Sequence, residues 1–256
     1  MSKRQKFLAT SAILSLGFVV MQFLEGGIRF AAIAALTALT LGFFVWSLRE
    51  GLGRNMTILS LVLPVFFTLG VGLFWFLLPA STFARLPVVA FYGLGIYVLC
   101  LTSNIYTVGA IRTIALLRAA RGVGFVLTLI TSFLIFDAIL SLRAFPWINV
   151  SLVVLTSFLL LLQGLWVIIL ETKFSKELFS LAGVGALVMG ELVAALFFWP
   201  VSVVVGSLFL TIALYLLLGL GQAKLEGRLF SQTVREHLTL AVLVFFGMFL
   251  ATRWGG

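Results

Sequence analysis

The feature that most constrains this chain is a series of apolar runs, each about as long as a bilayer-crossing helix. A transmembrane helix needs about 20 apolar residues, and we predict spans at residues 7–24, 28–48, 56–78, 88–108, 122–142, 148–170, two within 178–220, and 237–252. A soluble domain is excluded, because 10% of the residues are charged against roughly 25% in soluble proteins. The sequence predicts an all-α integral membrane helical bundle of about nine transmembrane helices, in one domain of residues 1–256.

The apolar stretch from residue 178 to 220 decides between nine spans and eight. It is about twice as long as one span, and Trp199-Pro200 interrupts it near its middle. We interpret this interruption as a tight turn between two antiparallel helices. If the two helices were one, eight spans would remain.

The positions of lysine and arginine predict the orientation of the chain. With nine alternating spans, thirteen of the 17 basic residues lie on the side of the N-terminus: Lys3, Arg4, Lys6, Arg49, Arg54, Arg112, Arg118, Arg121, Lys173, Lys176, Lys224, Arg228 and Arg235. Four lie on the other side: Arg29, Arg85, Arg143 and Arg253. With eight spans the division would be eleven against six. Because cytoplasmic loops carry the excess of Lys and Arg, we predict nine spans with a cytoplasmic N-terminus in the inner membrane.

The N-terminal segment resembles a signal sequence. Three basic residues, Lys3, Arg4 and Lys6, precede the apolar run from Phe7 to Leu24, and no small-residue cleavage site follows it. We therefore expect an uncleaved signal anchor.

The net charge of +9 does not indicate a nucleic-acid-binding protein. Such proteins concentrate basic residues on one face, whereas here the basic residues are scattered between apolar spans. The partners that we expect are the lipid bilayer and other membrane subunits or a second copy of the chain.

Enzyme and cofactor signatures are absent from the sequence. It contains no His-Glu-x-x-His, Gly-x-Ser-x-Gly or Walker motif. A single cysteine, Cys100, and a single histidine, His237, rule out an internal disulfide and a bis-histidine haem site within the chain. We expect no metal, no cofactor and a non-enzymatic role.

Two acidic residues lie inside predicted spans, Asp137 in the fifth and Glu191 in the seventh. From the rise per residue, they are about 7 and 10 Å below the outer ends of their helices. Ionisable residues inside a membrane usually face a cavity or a partner. Two carboxyl groups at similar depth could share a proton or bind a cation.

A polar stripe in the eighth span offers a path to these acids. Ser207, Thr211 and Tyr215 recur at intervals of four residues, and a turn at Trp199-Pro200 places Ser207 level with Glu191. These five residues, Asp137 included, are a candidate proton or cation site. The alternatives are a hydrogen-bonded Glu191 that joins two helices, and an Asp137 that pairs with Arg143 or Arg85.

A second polar group lies at the cytoplasmic end of the fourth span and in the segment after it. It consists of Thr102, Ser103, Asn104, Tyr106, Arg112, Arg118 and Arg121. One hypothesis is a cytoplasmic polar site or a site for a lipid head group. The alternative is a span that meets water, followed by a basic loop that only sets topology. We expect residues 111–121 to be helical, as an extension of the fifth span.

Glycine pairs spaced as Gly-x-Gly occur six times. They are too weak to indicate nucleotide binding, and small residues allow membrane helices to approach closely. We therefore interpret them as packing positions.

The run SNIYTVGAIRTIALLRAARGVGF, residues 103–125, in this nine-span pattern, resembles uncharacterised polytopic membrane proteins of small-genome bacteria. The resemblance implies no assigned activity and assigns no functional residue.

Two functions remain open from the sequence. The first is a non-catalytic component of a membrane complex, which the short loops and the absence of motifs favour. The second is a small transporter or channel-like protein that uses Asp137 and Glu191 for proton or cation coupling.

Overall fold

The computed structural model describes residues 2–24, 26–48, 57–78, 82–109, 115–170 and 175–252. The described chain forms nine α-helices and no strand: α1 (Lys3–Met21), α2 (Ile28–Leu48), α3 (Thr57–Trp75), α4 (Thr82–Gly109), α5 (Leu117–Ser141), α6 (Pro146–Ile169), α7 (Lys176–Phe197), α8 (Val203–Leu225) and α9 (Ser231–Ala251). All except α1 are long and apolar enough to cross a bilayer. The predicted helical membrane bundle is therefore confirmed.

The chain divides into two compact units, with the boundary inside α5. Unit 1 contains α1 to α4 and the first part of α5, and unit 2 contains the rest of α5 and α6 to α9. The single domain predicted from the sequence stays a prediction.

In unit 1, α1 packs against α2 and α4, and α3 packs against α2 and α4. Neighbouring helices run in opposite directions. The Nζ of Lys6, near the start of α1, lies 5.9 Å from the ring of Trp46, near the end of α2. The guanidinium of Arg29, at the start of α2, lies 5.7 Å from the ring of Phe76, just after α3. The alternation that the orientation argument assumes is thus present among these helices.

The core of unit 1 combines aromatic stacking with a buried hydrogen-bonded chain. Phe18 stacks on Tyr92 with ring centroids 4.8 Å apart. The hydroxyl of Thr68 lies 3.2 Å from that of Tyr92 and 3.0 Å from that of Thr40. All three hydroxyl-bearing residues are fully buried. Hydroxyls inside an apolar bundle need partners, and here three helices supply them to one another.

In unit 2, α6 packs against α7 and α8, and α9 packs against α8. Glycines on α7 bring it close to α6: a Cβ added at Gly190 would lie 2.6 Å from Val154 Cγ2, and one at Gly185 would lie 2.7 Å from Leu161 Cδ1. The Gly-x-Gly pair of residues 183 and 185 thus contributes one packing glycine, as predicted.

The turn between α7 and α8 confirms the predicted hairpin. α7 ends at Phe197, α8 begins at Val203, and Trp199-Pro200 lies between them. At the opposite ends of the same two helices, Lys224 and Glu177 are 4.0 Å apart. The two helices are therefore antiparallel, which is the arrangement that nine spans require.

Several predicted boundaries were wrong. α4 begins at Thr82, so Pro87 lies inside the helix and not in the loop before it, and α9 begins at Ser231 and not at His237. Hydropathy marks only the apolar part of a helix, and a helix can continue beyond it. Ala115 and Leu116 form a turn, and α5 begins at Leu117. Of the predicted 111–121 helix, residues 111–114 lie outside the described residues.

Candidate functional site

Asp137 and Ser207 form a buried polar contact in unit 2. Asp137 is 5% exposed and lies four residues before the end of α5, and Ser207, near the start of α8, is fully buried. The hydroxyl of Ser207 lies 3.2 Å from Oδ1 of Asp137 and 3.0 Å from the carbonyl oxygen of Val204. The sequence predicted both residues as members of one site, and the structure brings them together.

This geometry accommodates two protonation states of Asp137. When the carboxyl group is ionised, Ser207 can donate its single proton to Oδ1. When it is neutral, Asp137 can donate to the oxygen of Ser207, which then donates to the carbonyl of Val204. A hydroxyl is both donor and acceptor, so either state leaves the pair hydrogen-bonded. Such a pair can either join two helices or pass a proton.

Above this pair lies a cavity of about 270 Å³, here called the cup. It is found where α5 and α7 end and α6 and α8 begin, which the orientation argument assigns to the outer side. Its lining includes Leu140, Arg143, Asn149, Leu196, Trp199 and Val201. Leu140 lies three residues beyond Asp137 in α5, a rise of about 4.5 Å. Asp137 is thus about one helical turn below the floor of the cup.

Two polar residues distinguish the cup from an ordinary apolar groove. Of the described residues that line it, Arg143 alone is charged. Asn149, in the first turns of α6, is 8% exposed, and its Oδ1 is buried without a hydrogen-bond partner. Seven buried side-chain polar atoms of the described residues have no hydrogen-bond partner, and Oδ1 of Asn149 is the one of them that belongs to a residue lining the cup. A donor bound in the cup would satisfy it.

The backbone of Arg143 is in the left-handed region, with φ of 45°. Glycine usually occupies such a position after a helix end, because a Cβ is unfavourable there. A strained residue that lines a cavity points to a functional role for its side chain. Asp137 and Arg143 form no ion pair in the described part of the chain, and the side chain of Arg85 lies outside it.

Glu191 does not join this cluster. Its side chain is exposed on α7, and the hydroxyl of Ser207 bonds to Asp137 and Val204 instead. Glu191 and Ser207 have matching depths along their helices, and depth can be counted from the sequence. The rotation of each helix about its axis cannot, and rotation decides which side chains meet.

The rest of the α8 stripe continues towards the opposite end of unit 2. Thr211 donates to the carbonyl of Ser207 over 2.8 Å. The ring of Tyr215 lies parallel to that of His237 on α9, with centroids 6.3 Å apart. Nδ1 of His237 lies 2.8 Å from the carbonyl of Thr233. Sequence reasoning placed His237 at a span boundary and missed this contact, because α9 begins one and a half turns earlier than predicted.

The polar group at the end of α4 has mostly structural hydrogen bonds. Thr102 donates to backbone carbonyls one turn earlier in α4, and Thr107 donates to the carbonyl of Asn104. Tyr106 donates over 2.7 Å to the carbonyl of Ala120 in α5. Thr102, Ser103, Tyr106 and Thr107 are all buried. The end of α4 is therefore not a span end that meets water, as the alternative expected, because these side chains are buried.

Only two of the three arginines of that group lie among the residues that the structure describes. Arg118 is exposed at the start of α5, Arg121 is half-buried, and Arg112 lies outside the described residues. The site for a lipid head group therefore stays a prediction.

Sequence reasoning missed Asn149 and the link between Trp199 and Thr252. The sequence predicted Trp199 as part of the turn, but its Nε1 donates to Thr252 Oγ1 over 2.9 Å and so connects the α7–α8 turn to the end of α9. For Asn149 one signal was available, since it is an amide in the opening turns of a mostly apolar helix.

These helices define the class of protein: a multi-pass helical membrane protein. Among the described residues, no group of three or more His, Cys, Asp or Glu side chains could hold a metal ion. The chain belongs to the family described as "Protein of unknown function (DUF5656)", whose model matches residues 8–251. No functionally described protein and no solved structure matches the chain.

Proposed function

We propose that this chain is a non-catalytic subunit of a membrane protein complex in the inner membrane, with its N-terminus in the cytoplasm. The observation that carries the proposal is the exposed carboxyl group of Glu191, inside the span formed by α7.

Glu191 lies on the outward face of α7. The buried face contains Ala182, Met189 and Val193. At about 100° per residue, Glu191 is turned roughly 170° from the centre of that face. No hydrogen bond or ion pair reaches Glu191 from the residues that the structure describes. In a membrane this side chain therefore faces lipid unless another protein covers it.

Lipid is a poor environment for this carboxyl group. Glu191 lies six residues before the end of α7, a depth of about 9 Å, which is too deep for its short side chain to reach the interface. Insertion scales assign about 2.5–3.5 kcal/mol to an aspartate at a helix centre. A hydrogen-bond donor from a neighbouring transmembrane helix would offset this cost.

The surroundings of Glu191 suit such a helix. Exposed residues continue the same face one and two turns before and after it, at Val184, Leu187, Ala195 and Phe198. Leu187 is 63% exposed and Val184 is 59% exposed. An apolar seam with one polar group in its middle is a usual membrane-helix interface, in which packing supplies contact area and the polar group supplies selectivity.

The test is photo-cross-linking of the full chain in its native membrane. A photoreactive residue at position 187 should give a discrete protein adduct, which E191Q keeps and E191L loses, because a neutral amide still forms hydrogen bonds. The matched control is position 155 on α6, where Leu155 is 58% exposed and no adduct is expected. An adduct of twice the chain mass would identify the partner subunit as a second copy. Lipid adducts alone, or adducts that persist in E191L, would refute the proposal.

A second candidate is a proton- or cation-coupled transporter, and the Asp137–Ser207 pair below the cup supports it. In this role the cup is the outer vestibule and Asp137 carries the proton or binds the cation. Reconstituted chain should then conduct protons across liposomes, and D137N should abolish the flux while E191Q leaves it intact. Equal flux in the wild type and D137N would reject this candidate.

A further inference from the structure

The cup is a mostly apolar cavity that contains one charged group and one hydrogen-bond acceptor without a partner. Arg143 and Asn149 come from different helices, α5 and α6, and line the same cavity. The remaining wall is mostly apolar, with Leu140, Leu196 and Val201 among its members. The two polar groups therefore decide what the cup can bind.

Asn149 requires a donor. Its side chain is more than nine-tenths buried and its Oδ1 has no partner. An amide oxygen accepts N–H or O–H hydrogen bonds. An apolar ligand would leave this oxygen unpaired, and so would a quaternary ammonium group, which has no N–H.

Arg143 requires an anion. A guanidinium presents paired N–H donors that match the oxygens of a carboxylate or a phosphate. Arg143 has a left-handed backbone, in which glycine would be less strained. An arginine at this position therefore suggests that its side chain has a role at the cup. Among the residues that line the cup, no acid competes for the guanidinium.

The size and position of the cup limit further the kind of ligand that it can bind. Its volume of about 270 Å³ is slightly below the roughly 300–1,000 Å³ of pockets for drug-sized molecules. It therefore takes a small polar group and not a large solute. The cup is formed by the ends of α5 and α7 and the starts of α6 and α8, and the ends of transmembrane helices lie near the head groups of a bilayer.

We propose that the cup binds a phosphate group that carries a hydrogen-bond donor a few bonds away, with the phosphate on Arg143 and the donor on Asn149 Oδ1. Phosphoethanolamine has this chemistry, as a lipid head group or as a free solute. Phosphocholine has the same phosphate but no N–H. This inference does not depend on the interface proposed at Glu191.

The test compares short-chain phosphatidylethanolamine with short-chain phosphatidylcholine, both added to the purified full chain in detergent. Binding is read by native mass spectrometry and by the shift in melting temperature. The wild type should bind the ethanolamine lipid about tenfold more tightly, which corresponds to one hydrogen bond to a charged donor. Equal affinity for the two lipids would overturn the proposal.

Two variants separate the roles of the polar residues. N149L should abolish the preference for ethanolamine over choline, and a preference that survives N149L would overturn the assignment of the donor. R143G should lose about tenfold affinity for both lipids while relieving backbone strain, so that a loss of binding cannot be attributed to poor folding. R143K should restore part of the affinity, and unchanged binding by R143G would overturn the assignment of the phosphate.

The control variant is R228Q, at the opposite end of unit 2, which should bind as the wild type does. Free phosphoethanolamine provides the last comparison. If it binds as tightly as the lipid, the ligand is a soluble solute, and if only the lipid binds, the ligand is a membrane head group. If neither binds, the proposal fails.

Discussion

The hydroxyl of Ser207 on α8 lies 3.2 Å from the carboxyl oxygen of Asp137 on α5. The two residues are 70 positions apart in the chain, and both are buried in unit 2. This contact joins α5 and α8 through buried polar atoms. It also predicts different losses of stability when Ser207 and Asp137 are replaced one at a time.

We expect S207A to destabilise the chain by about 1–3 kcal/mol, because it removes the described partner of a buried carboxyl group. D137N should cost less, because an asparagine oxygen can still accept the proton of Ser207. The measurement is the free energy of unfolding in detergent micelles. T211A is the matched control: its hydroxyl bonds only to a carbonyl of its own helix, so it should stay within about 0.5 kcal/mol. A smaller effect of S207A than of T211A would contradict this account.

The hydrogen-bonded hydroxyls of unit 1 predict that T68V lowers the free energy of unfolding more than Y92F does. T68V should destabilise by about 1–3 kcal/mol, because it removes the buried hydroxyl that lies 3.2 Å from that of Tyr92 and 3.0 Å from that of Thr40. Y92F should cost less, about 0.5–1.5 kcal/mol, since Thr68 keeps its bond to Thr40. Unfolding of the two single variants and the double variant measures the coupling. Additive effects would mean that the two hydroxyls do not interact.

Two glycines on α7 predict opposite outcomes for the same substitution. A Cβ at Gly190 would lie 2.6 Å from Val154 Cγ2 on α6. Valine has little freedom at χ1, so the helices must separate, and G190A should cost about 1–3 kcal/mol. G183A is its control, because nothing lies within 4 Å of an added Cβ there, and alanine should gain about 0.5–1 kcal/mol in a helix interior. Equal unfolding free energies for the two variants would rule out close packing at Gly190.

The attachment of α9 depends on few contacts, and Trp199 supplies several of them. Met248 is the buried residue of α9. Trp199 donates to Thr252 and contacts the rings of Phe245 and Phe249 edge-on, at 5.7 and 6.2 Å. W199A should therefore increase amide hydrogen exchange throughout the second half of α9 while leaving α6 protected. W199F is the control that keeps an aromatic ring and removes the N–H donor, and it should give an intermediate increase in exchange. Unchanged exchange in W199A would show that other contacts hold α9.

Sequence alone determined the membrane class, the number of helices and the hairpin at Trp199-Pro200. These follow from local composition, because each span must be apolar over its own length and a proline with adjacent turn residues ends a helix. The same reasoning misplaced the starts of α4 and α9, since hydropathy does not detect the polar turns that continue a helix beyond its apolar part.

Tertiary structure decided which polar residues meet. Depth along a helix can be counted from sequence, and this count placed Asp137, Glu191 and Ser207 at similar levels. Rotation about the helix axis depends on packing against neighbours that are distant in the chain, and it turned Asp137 towards Ser207 and Glu191 outward. For the same reason the cup was not predictable: Arg143 and Asn149 acquire a common role only where the ends of four helices enclose them.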